Sequence, residues 1–160
     1  MTTQKKQQTS NSVSRLEGVF EAWRSCDNAY AQLVKQWGLS LNTVWALEYL
    51  IARPEGVEPA VLADDTHMLR QTITVVLNDL EERGYLQRLF HSTDRRRKII
   101  HLTAAGKAFA QRVLQDISDA EQEAAAALTD EEQQRLLDYS RRFSQEFARK
   151  VNAITSRRSE

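Results

Sequence analysis

The sequence predicts a mainly α-helical fold carrying one small β-hairpin. Three observations predict it. Leu69, Ile73, Val76, Leu77 and Leu80 recur at the spacing of one helix face. Beyond Gly84, two apolar stretches, Tyr85 to Phe90 and Ile99 to Leu102, flank a polar knot, the pattern of two short strands and a turn. Toward both ends of the chain, apolar residues return at helical spacing over long stretches.

Taken in order, residues 1–12 are almost wholly polar and are expected to form a disordered tail. Residues 13–38 read as one long helix with an apolar stripe of Leu16, Phe20, Trp23, Tyr30, Leu33, Val34 and Trp37. Ser14 and Glu17 have the spacing of a capping box at its start, and Gly38 ends it. Ser40 caps a second helix whose inward side is expected to be Leu41, Val44, Trp45, Leu47, Leu50 and Ile51. Arg53-Pro54-Glu55-Gly56 breaks that helix, because the residue before a proline is pushed out of helical geometry. Pro59 opens a short third helix to about Asp65, with Leu62 and Ala63 inward. A turn through Thr66, His67 and Met68 leads into the amphipathic helix. Gly84 stops that helix in the position that is usually left-handed.

After the hairpin, Thr103 is the expected cap of a helix to about Leu128, with Phe109, Val113 and Ile117 on one side. Thr129 and Glu132 form a second capping box, followed by Leu136, Leu137, Phe143, Phe147, Val151 and Ile154. The expected organisation is therefore a tail at 1–12, a helix at 13–38, a central region at 39–106, helices at 107–156 and a frayed end at 157–160.

Charge narrows the function. Lysine and arginine number 22, as do aspartate and glutamate, so formal net charge is zero. The charge is segregated all the same: Arg95 to Lys98 is a block of positives, while Asp119 to Glu132 is acidic. No apolar run is long enough to span a bilayer. The one cysteine, Cys26, excludes an internal disulfide framework and fits a cytoplasmic setting. His67, His91, His101 and Cys26 lack metal-ligand spacing, no glycine-rich phosphate loop occurs, and no nucleophile–base pair is recognisable. The chain is read as neither an enzyme nor a metal or cofactor carrier.

A helix suits the width of the DNA major groove, and a hairpin tip bearing several cations suits phosphates or a narrow minor groove. The central region thus reads as a winged helix-turn-helix, flanked by N- and C-terminal helices whose surplus apolar residues point to dimerisation. On the helix, Arg70, Gln71, Thr72, Thr74, Val75 and Asn78 are the candidate DNA readers. Gln71 and Asn78 have the groups to pair adenine bidentately, and Arg70 those to meet guanine or a phosphate. On the wing the candidates are Asp94, Arg95, Arg96, Arg97 and Lys98. Asp94 is expected to orient an arginine, and the other cations to meet phosphates.

From about residue 16 to 150 the chain resembles the MarR family of bacterial transcription regulators. The resemblance rests on Leu62-Ala63, on Leu80-Glu81-Glu82-Arg83-Gly84-Tyr85-Leu86, and on Asp94-Arg95-Arg96 followed by Leu102-Thr103-Ala104-Ala105-Gly106. It implies a homodimer joined through helices at both chain ends, bound to a pseudo-palindromic double-stranded DNA operator. It also implies a repressor released by a small aromatic or phenolic effector, with Arg96 as the wing arginine. Three positions depart from the family pattern: His67 where glycine is frequent, Leu69 where a capping Ser or Asp is common, and Val75 where arginine is frequent. Val75 suggests apolar contact with a thymine methyl.

Trp23, Cys26, Tyr30, Trp45 and Tyr49 are candidate lining for an effector pocket, although aromatics at helical spacing are more often core. Cys26 also raises a redox-sensing alternative, set against the plainer reading of a buried structural cysteine. A winged-helix module that binds protein instead of DNA is the remaining alternative.

Overall fold

The computed structural model describes residues 2–90, 94 and 96–158. Among these, six helices and two strands follow in the order α1 (Thr2–Lys35), α2 (Leu41–Ile51), α3 (Pro59–Asp65), α4 (Arg70–Glu82), β1 (Leu86–Phe90), β2 (Lys98–Leu102), α5 (Ala104–Ala125) and α6 (Asp130–Arg158). They fall into two units, one through Ile117 and one from Ser118 onward. No described helix is long and apolar enough to cross a membrane.

The first unit holds the core. Leu47, Leu62, Ile73, Leu77, Leu80 and Ile100 are its largest fully buried side chains, and Val34, Phe109 and Val113 complete it from α1 and α5. Helices α2, α3 and α4 thus converge on the hairpin around a mainly aliphatic core. The hairpin is antiparallel, pairing Leu86 with Leu102, Arg88 with Ile100 and Phe90 with Lys98. Val57 adds a bridge to Ile100 on the other side.

Local chemistry sets the ends of these elements. The Ser40 hydroxyl accepts from the Thr43 N–H (3.2 Å), Pro59 opens α3, and the Thr103 hydroxyl accepts from the Gly106 N–H (3.0 Å) at the start of α5. At the end of α4, Gly84 has φ +73°. The Gly84 N–H donates to Glu81 O and the Tyr85 N–H to Leu80 O, both 2.9 Å, a Schellman closure. The chain then turns directly into β1. Thr103 also donates its hydroxyl proton to Gly84 O (2.8 Å), tying the end of α4 to the end of β2. A side chain at Gly106 would run into the Tyr85 carbonyl, so this close approach requires glycine.

In the second unit the capping box is as expected. The Thr129 N–H donates to Glu132 Oε2 (2.9 Å) and the Glu132 N–H to Thr129 Oγ1 (3.3 Å). Those bonds hold the Glu132 pKa below its ordinary value, first through the backbone N–H and then through the hydroxyl. No residue of α6 is fully buried among those described.

Several expectations are corrected. Residues 2–12 are helical, not a disordered tail. A nucleated helix adds one hydrogen bond per residue fixed, and Gln and Lys are good helix formers, so α1 propagates through the polar stretch. With the helix continuous there, Ser14 and Glu17 sit inside it and mark no start. At the other end α6 continues to Arg158, where a frayed segment was expected from 157. Trp45 is 49% exposed, because Thr43, Val44, Ala46, Leu47 and Leu50 form the buried side of α2. Leu69 is 75% exposed: it precedes α4 with extended backbone, which takes it off the helix face. Cys26 is exposed, not buried.

Candidate nucleic-acid interface

Helix α4 presents two faces. Ile73, Val76, Leu77 and Leu80 are buried, whereas Gln71, Thr74, Val75 and Asn78 are exposed. Arg70 is exposed as well, with its guanidinium 3.9 Å from Asp64, and Thr72 is half-buried at the edge. Leu69 lends no side-chain acceptor at the start of α4, and no acidic residue lies in its first turn. The first-turn N–H groups therefore keep the positive end of the helix dipole available to an anion, the arrangement that suits a phosphate.

The turn before α4 has its own geometry. His67 has φ +55°, the left-handed position where glycine costs least. The Met68 N–H donates to Ala63 O (3.1 Å) and the His67 N–H to Asp64 O (3.3 Å), which closes α3 and sets its angle to α4.

Two of the predicted readers are already engaged. The Thr74 hydroxyl donates to Arg70 O (2.9 Å). Asn78 Oδ1 accepts from Arg88 (2.7 Å), whose other terminal nitrogen meets Glu81 at 2.5 Å. Bidentate pairing of Asn78 with adenine uses both ends of the amide, so Arg88 would share or yield the oxygen. Arg88 went unnoticed in the sequence because it lies in a strand, and only the fold brings it beside α4.

On the wing, Asp94 does hold an arginine. Its Oδ1 accepts from the Arg96 backbone N–H (3.0 Å) and from Arg96 Nε (3.3 Å), and its carbonyl accepts from the Arg97 N–H (2.9 Å). The Arg96 side chain is 92% exposed, a cation positioned at the tip and left in water. Arg97 is different. Its guanidinium makes a two-pronged ion pair with Glu58, just before α3, and that bond raises its pKa further. This pair ties the wing to the start of α3. Lys98 is exposed opposite Phe90. Arg95 lies outside the described residues, as does His91. His101 faces Gln87 across the hairpin.

Two of the five suggested effector-pocket residues share a described cleft. Trp45 and Tyr49 line a cleft of about 370 Å³ with Glu48, Ala52, Arg53 and Thr66. Trp23, Cys26 and Tyr30 are not part of it. Arg53 lies over the Tyr49 ring at 3.5 Å, and the Tyr49 hydroxyl donates to Asp65, which raises the Tyr49 pKa.

Residues 37–97, from the end of α1 to the wing, match the MarR family. That stretch, about two fifths of the chain, is similar to the MarR family. A transcriptional regulatory protein named for the hcr operon of Thauera aromatica is 31% identical over 100 residues; the alignment spans 62% of this chain and 60% of that relative. Among solved structures, a MarR family transcription regulator superposes with a TM-score of 0.80 at 18% identity, over 92% of this chain and 97% of that one. The Staphylococcus aureus MepR–DNA complex gives 0.71 at 21% identity, over 81% and 96%. The Streptomyces coelicolor regulator PcaV, solved with its natural ligand, gives 0.66 at 25% identity, over 78% and 89%. The winged helix is thus the part that the family match covers, within a fold shared over most of the chain.

Proposed function

We propose that this chain is a cytoplasmic, homodimeric transcriptional regulator that binds a pseudo-palindromic DNA operator and acts as a repressor released by a small aromatic or phenolic effector. The observation that carries the reading is the exposed face of α4, Gln71 to Asn78, together with a wing arginine held outward by Asp94. The core closes without either feature, so neither is needed for folding. Members of the family are transcriptional regulators, not enzymes. The MepR complex with DNA and the PcaV complex with its ligand support the two kinds of partner by analogy.

Dimerisation is proposed from apolar residues that remain in water. Leu16 and Val19 on α1, and Leu136, Phe147, Val151 and Ile154 on α6, are each between 39% and 58% exposed. Such stripes on two helices suit a two-fold interface. The Trp45–Tyr49 cleft supports an effector site at that place.

The test is binding to duplexes selected from genomic fragments, followed across a salt series. The reading expects steep salt dependence, with the slope reduced by about one phosphate contact per subunit in Arg96→Ala. Salt-independent or undetectable duplex binding would favour a protein-interaction module instead. The exposed Cys26 thiol supports a second release route by oxidation. If Cys26→Ser still leaves DNA on peroxide treatment, that route is wrong.

A further inference from the structure

We infer that Val75 reads the C5 methyl group of one pyrimidine in each operator half-site, so that thymine and 5-methylcytosine are accepted there and uracil and unmodified cytosine are disfavoured. The inference rests on the DNA-binding reading above and specifies what α4 recognises.

Four exposed residues make one contiguous surface on α4, since Gln71, Thr74, Val75 and Asn78 are three or four positions apart. Thr74 uses its only hydroxyl proton on Arg70 O, so it has none to donate to a base. Asn78 has its amide oxygen on Arg88. The polar heads flanking Val75 are therefore partly committed inside the protein, while the Val75 isopropyl group is 68% exposed. A single exposed valine is ordinary on a protein surface. The position of this one is not: it lies amid the face that the core leaves outward, four residues after Gln71 and three before Asn78. The core has no use for it, because Ile73, Val76, Leu77 and Leu80 already close the inner side.

Major-groove edges are otherwise hydrogen-bonding atoms, and the thymine C5 methyl is their apolar feature. A methyl at C5 of cytosine occupies the equivalent place on the ring. Valine is branched at Cβ and holds one strongly preferred rotamer in a helix, so its two methyl groups form a fixed surface that needs no reordering on contact. Valine has no group that donates to or accepts from a base edge, so methyl contact is the readout it offers.

The experiment starts from duplexes selected from a random pool by the full-length protein. Each thymine of the consensus is then replaced by uracil, which removes only the methyl. One thymine per half-site should cost about fourfold in affinity when replaced, the worth of one buried methyl-sized group. Val75→Ala should bind the thymine and uracil duplexes equally. With cytosine at that position, methylation at C5 should tighten binding by a similar factor in the native protein and not in Val75→Ala. The inference is overturned if every thymine tolerates uracil, or if the uracil penalty survives in Val75→Ala. A pool from which no duplex is recovered would overturn the DNA-binding reading itself, and this inference with it. Val75 is a surface residue, and an unchanged thermal transition in Val75→Ala separates lost contact from lost fold.

Discussion

The winged core and helix α6 treat their apolar residues in opposite ways. In the core, Leu62, Leu80 and Ile100 are fully buried, and elements distant in sequence meet on them. On α6, Leu136, Phe147 and Ile154 are each more than half exposed, although they recur at helical spacing just as regularly. Periodicity alone therefore announces a helix face and says nothing of what covers it. The core is complete within one chain; α6 carries a face suited to a second surface.

That contrast can be broken most sharply from the core side. Leu80→Ala should lower unfolding free energy by about 2–5 kcal/mol in urea denaturation, because a fully buried side chain leaves a cavity. Gly106→Ala should cost about 1–3 kcal/mol in the same assay, since the added methyl meets the Tyr85 carbonyl and the chain must shift. On α6, Phe147→Asp should leave the core transition within about 0.5 kcal/mol when measured at protein concentrations well below the dissociation constant of self-association. It should weaken self-association by about 2 kcal/mol in sedimentation equilibrium, as a hot-spot loss does. Equal damage to both quantities would show that α6 belongs to the core after all. His67→Gly should stabilise the fold by about 1 kcal/mol by relieving a left-handed backbone, visible as a raised melting temperature.

The smallest effect is electrostatic and belongs to the α6 side alone. Glu132 has its folded pKa lowered by the bonds from Thr129. A lowered carboxylate pKa contributes stability that is fully present above the unfolded value and is lost as pH falls through the folded one. Helical signal from the start of α6 should therefore fade on acidification into and below the carboxylate range. Glu132→Gln should flatten that dependence, as amide exchange at Thr129 to Gln133 would report.

Much of this was legible before any coordinates. The α4 face, the Gly84 stop, the hairpin strands, the Ser40 and Thr103 caps and the Thr129–Glu132 box depend on near neighbours, and near neighbours are what a sequence displays. The misreadings share a cause. Trp45 and Leu69 were placed inward because they are large and apolar, but helix phase puts the small Ala46 into the core and leaves Trp45 in water. Residues 2–12 were read by polarity, whereas helix propagation decided them. At the candidate site, the Asp94–Arg96 contact is local and was foreseeable. The Arg97–Glu58 and Arg88–Asn78 pairs join residues from different elements, so only the fold could place them. They matter because they give Arg97 and Asn78 partners within the protein that DNA contacts would have to share or displace.

The most direct test of the central claim is a footprint of the full-length protein on a selected duplex, read for major-groove protection on both strands. Two recognition helices on one two-fold dimer should protect two major-groove stretches with centres about 34–36 Å apart, flanked by minor-groove contacts from the wings. Protection of a single major-groove stretch, or of none, would contradict it.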